Sequence, residues 1–281
     1  MNNQETLVVI TWNGIEKPLS CVYFDSKPNF KILLFNHTGD EFDNSKFNMN
    51  ADYYLSKKTE NKGQIFHYIN DYINKNNINF YYIGIIDDDI LFKVSDFNYM
   101  LYIASLYKLD IFQPSISNDS YFSHRKFVNR TGIILFETDW IEIMAPFYRK
   151  ELFQACENYF LKTISGQGID LFLMPVLQKI YNMKKTAIIH AIMVKHLRPI
   201  RSHQRIYLNG LNNEQEIEII RNDAINLTKN HLYCNLFDKN FRRNVLLEGN
   251  TLFINYNKLV IKFSNLFFNF INFLKQISHF R

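Results

Sequence analysis

Three consecutive carboxylates, Asp87, Asp88 and Asp89, close an apolar run, Phe80-Tyr81-Tyr82-Ile83-Gly84-Ile85-Ile86. Like charges this close repel and need a counter-charge. A divalent cation with oxygen ligands, itself bridged to a phosphate, supplies one economically. The apolar run has the length and continuity of a buried strand. The carboxyl ends of strands in open α/β sheets are where ligands bind. Alternation along an extended chain puts Asp87 and Asp89 on one side and Asp88 on the other. That is the geometry of a D-x-D metal–nucleotide site. A helix cap within an acidic surface patch is the plainer alternative for the same residues.

The elements that must position these carboxylates alternate in type. Leu7-Val8-Val9-Ile10 is a strand running into Thr11-Trp12-Asn13-Gly14, and residues 31–35 repeat the pattern into Asn36-His37-Thr38-Gly39. Ile65, Tyr68, Ile69 and Tyr72 recur at helical spacing and predict a helix over 61–74. A second helix follows over 94–107, with Ser95 and Asp96 as cap candidates. Strands are predicted at 110–114, 133–136, 140–148 and 186–189, and helices over 150–163 and 171–181. Gly166-Gln167-Gly168-Ile169 is a glycine-bounded turn that delivers Asp170 to the start of the last of these helices. Such alternation implies a largely parallel α/β sheet. Beyond residue 202 the chain changes to a polar helix (213–231) and a Phe- and Asn-rich end.

Composition sets the bounds. With 281 residues, 47% hydrophobic and including 26 Phe and 17 Tyr, the chain can bury a large core. Nine Gly, six Pro and 21% charged residues argue against disorder. A net charge of +5 does not indicate nucleic acid; it suits an anionic small ligand or an anionic membrane surface. Cys21, Cys156 and Cys234 form no disulfide framework and no metal-ligand spacing, which favours a reducing cytosol. The first residues show no signal-peptide pattern, and neither a P-loop nor a Gly-rich dinucleotide fingerprint is found.

Four ordered blocks carry a family resemblance across residues 5–200: the apolar strand into Asp87-Asp88-Asp89, then Asp110-Ile111-Phe112-Gln113-Pro114-Ser115, then Thr138-Asp139-Trp140-Ile141-Glu142-Ile143-Met144-Ala145-Pro146, then Gly166-Gln167-Gly168-Ile169-Asp170 and the segment ending at His196. The chain resembles nucleotide-sugar glycosyltransferases of the GT-A fold. Within them it looks like a bacterial and plant family of glycosyltransferase-like proteins of unassigned activity. The resemblance implies an α/β, Rossmann-like, mixed and mostly parallel sheet flanked by helices. This catalytic domain spans 1–202, and a helical C-terminal extension spans 203–281. Phe136, Gln167 and His190 depart from the family pattern, the first two at positions that bear on donor or acceptor choice rather than on the fold.

The resemblance also implies roles. Asp87 and Asp89 would bind Mn²⁺ or Mg²⁺ with His196 as third ligand, and imidazole beside two carboxylates is acceptable to Mn²⁺. His190 and His203 are weaker alternatives. Asp88 would reach the donor sugar or face solvent. Asp170 stands where inverting enzymes of this fold keep their general base, the alternative being an ordinary helix cap. Thr11, Trp12 and Asn13 would meet the base and ribose, with Trp12 stacked on uracil or else core, and Asn36 and His37 behind them. Lys195, Arg198 and Arg201 would neutralise a diphosphate by charge-assisted hydrogen bonds, unless they are a solvated loop. Lys62 would approach the diphosphate or simply open a helix. Glu142, costly in an apolar block unless paired, is an acceptor-sugar contact or an ion-pair member.

The expectation is a cytoplasmic, metal-dependent, inverting glycosyltransferase using a nucleoside diphosphate sugar, UDP-linked, and a surface glycan or lipid-linked acceptor. A sugar nucleotidyltransferase and a non-catalytic glycan-binding relative are the rivals. Leu259, Phe263, Leu266, Phe270, Phe273, Ile277 and Phe280 form an apolar helical stripe, with Lys262, Lys275 and Arg281 nearby. Residues 258–281 therefore fit either peripheral contact with the inner face of the membrane or packing on protein.

Overall fold

The computed structural model describes residues 5–40, 50–199 and 205–230. The C-terminal stripe, Arg201 and His203 lie outside the described residues. The first strand, β1 (Thr6–Trp12), is buried along its whole length because it has a neighbour on each side. It pairs in parallel with β3 (Lys31–Asn36) and with β5 (Tyr82–Ile86), the strand that leads to the carboxylates. Its alternation sorts two cores. Val8 and Ile10 pack with Ile86, Phe97 and Phe112, whereas Leu7 and Val9 pack with Ile83, Phe66 and Ile69. Each such buried side chain contributes about 1.5–3 kcal/mol.

The remaining strands are β2 (Val22–Tyr23), β4 (Tyr53–Ser56), β6 (Ile90–Lys93), β7 (Ile111–Ile116), β8 (Leu135–Glu137), β9 (Phe147–Arg149) and β10 (Thr186–His196). The sheet runs β2-β6-β10-β7-β9-β5-β1-β3-β4, with β8 also paired to β10. Helices α1 (Lys62–Lys75) and α2 (Val94–Tyr107) cover its two faces. The short helices α3 (Lys150–Ala155), α4 (Glu157–Phe160) and α5 (Met174–Ile180) follow β9, and α6 (Asn213–Asn230) ends the described chain. This is the mixed, mostly parallel, GT-A-like sheet flanked by helices that the sequence implies.

The antiparallel β9 is wedged between β5 and β7 and brings Phe147 against Gly84. A Cβ on Gly84 would lie 2.3 Å from that ring. The glycine in the otherwise bulky strand makes room for the wedge.

Several boundaries differ from expectation. Residues 140–146 form no regular strand: the chain turns at 143–145 with Trp140, Ile141, Met144 and Ala145 buried, although the Pro146 and Met144 carbonyls accept the Ile85 (3.0 Å) and Asp87 (3.1 Å) N–H groups. The helix expected over 150–163 breaks at Cys156 into α3 and α4. The helix expected from 171 begins as a π-helical turn, Ile169–Leu173, and Pro175 starts regular α5 behind it. Strand β10 continues to His196 through a bulge between Ile189 and Met193. Neither Ser95 nor Asp96 caps α2; Asp25, distant in sequence, accepts from the Ser95 N–H (3.0 Å) and hydroxyl (2.6 Å). No helix among the described residues is long and apolar enough to cross a membrane.

Candidate active site

The buried ladder of β5 stops at Ile86, and a tight turn takes over. The Ile90 N–H donates to the Asp87 carbonyl (3.1 Å), and the Asp87 N–H donates to the Met144 carbonyl (3.1 Å). A turn breaks the pleat, so the expected alternation of the three carboxylates fails. Asp88 and Asp89 share one partner, Arg198, while Asp87 meets another, Lys62. Thr11 supports the turn from β1, its hydroxyl accepting the Asp88 N–H (3.0 Å). The Cys21 thiol donates to the Asp88 carbonyl (3.1 Å).

Lys62 reaches Asp87 because α1 starts where it does. Asn61 caps the helix on the Lys62 N–H (2.9 Å), and the Gly63 N–H donates to the Ile164 carbonyl (3.0 Å). A Cβ on Gly63 would sit 1.6 Å from the Thr163 carbonyl oxygen. Only glycine allows this approach. Burial pushes the Asp87 carboxyl up to about 6, against the opposing pull of Lys62.

Arg198 donates from Nε to Asp89 Oδ2 (2.9 Å) and from Nη2 to Asp88 Oδ1. The same Asp89 oxygen lies 3.2 Å from His196 Nε2. Burial alone would raise Asp89, but the bonds from His196 and Arg198 outweigh it and hold the carboxyl below its ordinary range. The reciprocal holds for His196, where burial pulls down and Asp89 lifts the imidazole above its usual value. Its Nδ1 faces the Tyr121 carbonyl (2.9 Å). With an acceptor at each ring nitrogen, only the imidazolium satisfies both.

Two more carboxylates complete the site. Glu142 is buried in the 140–146 stretch, its N–H held by Gln113 Oε1 (2.5 Å). Burial pushes it up to about 7; a Ser123 hydroxyl bond opposes that, Asp170 and Asp87 add to it, and His196 offsets it. Its Oε2 is buried without a partner. Asp170 stands on the π-helical turn after Gly168, whose φ of 87° needs glycine. Burial pushes it up to about 7 as well, opposed by bonds from backbone N–H groups including those of Leu171 and Ile143.

Other expected residues are placed differently. Trp12 is buried, its indole N–H donating to the Glu16 carbonyl (2.8 Å), and it lines a small hollow with Thr11, Asn13, Ser20, Cys21 and Asp88. Asn13 accepts the Ile15 N–H (3.0 Å), which makes it a turn former. Asn36 is buried and bonded to Thr38, Asp40 and Tyr54, so it shapes the loop rather than facing a ligand. His37 lies within electrostatic reach of Asp88, Lys62 and Arg198. Lys195 pairs with exposed Asp119, turned away from His196 by strand alternation. His190 is buried, its Nδ1 accepting the Arg130 N–H (3.2 Å), and burial pulls it down to about 4. Lys126 was not foreseen. It sits 4.0 Å over the Trp140 ring, bonds Thr138 Oγ1 (3.2 Å), and its charge reaches Asp170. A lysine in a polar loop carries no sequence signal for that role.

Among the described residues, no three His, Cys, Asp or Glu side chains converge on a point that could hold an ion. Two do meet, Asp89 and His196, while Asp87 is turned to Lys62. Asp89 Oδ1 and Asp88 Oδ2 are buried without partners. One carboxylate, one imidazole and these orphaned oxygens fit a Mg²⁺- or Mn²⁺-type ion whose other positions come from phosphate and water. Binding would displace the proton on His196 Nε2.

A GT-A-like sheet with an acidic turn at the end of its central strand defines the class of fold. No family profile matches the chain, and no curated protein matches it in sequence. Among solved structures, S. aureus TarS residues 1–349 in complex with UDP-GlcNAc is similar, with a TM-score of 0.52 and 11% identity over 83% of this chain and 75% of that one. The same TarS segment without that ligand gives a TM-score of 0.48 at 10% identity over 83% and 74%. At such identity the likeness is one of fold.

Proposed function

We propose that the protein is a metal-dependent glycosyltransferase that moves a sugar from a nucleoside diphosphate donor to a glycan or lipid-linked hydroxyl at the cytoplasmic face of a membrane. The observation that carries this reading is the acidic turn after β5, faced by Lys62, His196 and Arg198 with Asp170 and Glu142 beside it. The TarS structure of the same fold holds UDP-GlcNAc, which supports a UDP-linked donor.

Lys62 and Arg198 are placed to meet a diphosphate, Arg198 with a planar fork suited to it. Mn²⁺ or Mg²⁺ bound through Asp89 and His196 would supply a Lewis acid toward the departing diphosphate. The acceptor oxygen attacks the anomeric carbon, the bond to the diphosphate breaks, and the acceptor proton passes to Asp170. A carboxyl with a pKa of about 7 is well matched to that transfer near neutrality. Attack from the face opposite the leaving group inverts the anomeric centre. Glu142, buried with a free oxygen, is the candidate hydrogen-bonding partner of the acceptor sugar. Residues 258–281 supply the peripheral membrane contact, which co-sedimentation with anionic vesicles checks.

The test is release of UDP from a panel of UDP-sugars with Mn²⁺, with and without sugar acceptors. UDP release that needs the metal supports the reading. Pyrophosphate release from UTP and a sugar phosphate would replace it with a nucleotidyltransferase, and glycan binding without turnover would make the protein a binding relative.

A further inference from the structure

The turn that leads to Asp170 is held from a distance. Residues 163–168 lie between α4 and the π-helical turn; Gly166 and Gly168 take positive φ there and Ser165 Oγ accepts the Gln167 N–H (3.1 Å), but further bonds come from outside the segment. The carboxylate of Glu216, on the first turns of α6, reaches into this segment and is completely buried. Its Oε1 accepts the Ile164 N–H (2.8 Å) and the Asn209 side-chain amide (2.7 Å). Its Oε2 accepts the Ser165 N–H (2.8 Å) and the Thr163 hydroxyl (3.2 Å). Both oxygens are used as acceptors, which a carboxylate provides and an amide cannot. A buried carboxylate is tolerated only when bonded this fully.

The far side of the same turn rests on α1. The Ile164 carbonyl accepts the Gly63 N–H (3.0 Å), and a Cβ on Gly166 would lie 2.6 Å from the Lys62 Cβ. One step further along, a Cβ on Gly168 would meet the Ile220 Cβ of α6 at 3.0 Å. The segment before α6 is tied down independently. The Tyr207 hydroxyl donates to Asn213 Oδ1 (2.7 Å) and accepts from the α1 cap Asn61 (3.1 Å), while Glu60 accepts the Leu208 N–H (2.9 Å). The turn is therefore gripped between α1 and Glu216 and hands a fixed backbone to Asp170.

We propose that Glu216 is a positioning residue: from α6 its carboxylate fixes the 163–168 turn and thereby sets Asp170 at the reaction centre. The catalytic meaning of that placement rests on the function proposed above; the placement itself does not. Lys126, Glu142 and Tyr148 are the other ionisable groups whose fields meet at Asp170.

The experiment uses the full chain and Glu216→Gln, which keeps the side-chain shape but turns a donor toward two of the four donors. Carbon-13 NMR follows the Asp170 carboxyl against pH, without any ligand. Far-UV circular dichroism checks the fold. The expected result is a titration midpoint lower than in the wild type by at least about one pH unit, as the loosened turn admits water to the carboxyl. With UDP-GlcNAc and Mn²⁺ as the probe, kcat for UDP release should fall about 10–100-fold, or about 1.4–2.7 kcal/mol, with KM within about threefold. An unchanged Asp170 midpoint in the folded variant would overturn the proposal. A shifted midpoint in a protein that never releases UDP, wild type included, would sustain the positioning role while removing the proposed function. If Glu216→Gln does not fold, Asn209→Leu removes a single donor and should give a smaller shift of the same sign; no shift there overturns the proposal equally.

Discussion

Lys62 and Asp87, 25 residues apart in sequence, form an ion pair that joins the start of α1 to the end of β5. The pair is mostly shielded, with side-chain exposures of 10% and 24%. It holds a charge where burial would otherwise keep Asp87 protonated.

Lys62→Met should therefore destabilise the protein in a pH-dependent way. At pH 8 Asp87 is ionised in the wild type; without its counter-charge it must stay charged and buried or take up a proton, at a cost of about 1–3 kcal/mol after allowance for solvent. At pH 5, below the Asp87 midpoint of about 6, the carboxyl is neutral and the cost should nearly vanish. Urea unfolding at the two pH values checks this, and an equal loss at both would contradict it.

Asp170→Asn should separate stability from catalysis. The folded carboxyl titrates at about 7 against an ordinary 3.8, so the native state holds a proton that the unfolded chain releases. The wild type is thus favoured below about pH 4, and that stability drains away as pH rises to about 7. The amide does not titrate. The variant should match the wild type at pH 4 and exceed it at pH 8 by about 2 kcal/mol, roughly half the full linkage because Asp170 is only partly shielded. Transfer should be lost with donor affinity retained. A variant no more stable at pH 8 than at pH 4, relative to the wild type, would contradict the burial of this carboxyl.

Gly63→Ala should be among the costlier single-methyl changes in the chain. The added carbon would meet two backbone carbonyls, those of Thr163 and Phe160, and neither can rotate away. Overpacking of this kind costs about 1–3 kcal/mol, and it should also weaken donor binding by displacing Lys62. Thermal melting reads the first effect and calorimetry with UDP and Mn²⁺ the second.

The buried central strands and the long helices were legible because period and burial coincide, whereas the short strands β2, β4 and β6 carried no such signal. Helices α1 and α2 fall within a residue of their expected limits, and the strand into the carboxylates ends at Ile86 as expected but begins at Tyr82 rather than Phe80. The failures lie where long-range contacts replace periodicity. The 140–146 stretch is as apolar as a strand, yet it turns at 143–145 and meets the end of β5 through the Met144 and Pro146 carbonyls. Asp25 caps α2 from far away in sequence, so no local pattern near Ser95 could reveal it. The fold brings Asp89, His196 and Arg198 into contact and turns Asp87 to Lys62 beside them; the sequence could suggest that neighbourhood, and the roles within it are the proposal above. The site was not legible at Asn36 or Lys195, whose partners at Tyr54 and Asp119 are set by tertiary structure. Nor could spacing show that a turn at Asp87 cancels the strand alternation, or that Glu216 grips the approach to Asp170.

The central claim is that the acidic turn after β5 binds a metal–nucleoside diphosphate. Isothermal titration of UDP into the full chain, with Mn²⁺ and then with EDTA, tests it most directly. Binding should appear only with Mn²⁺, weaken about tenfold or more as pH falls far enough to protonate His196, and vanish in Asp89→Ala while the fold persists. UDP binding that is the same with EDTA, or in Asp89→Ala, would contradict the account.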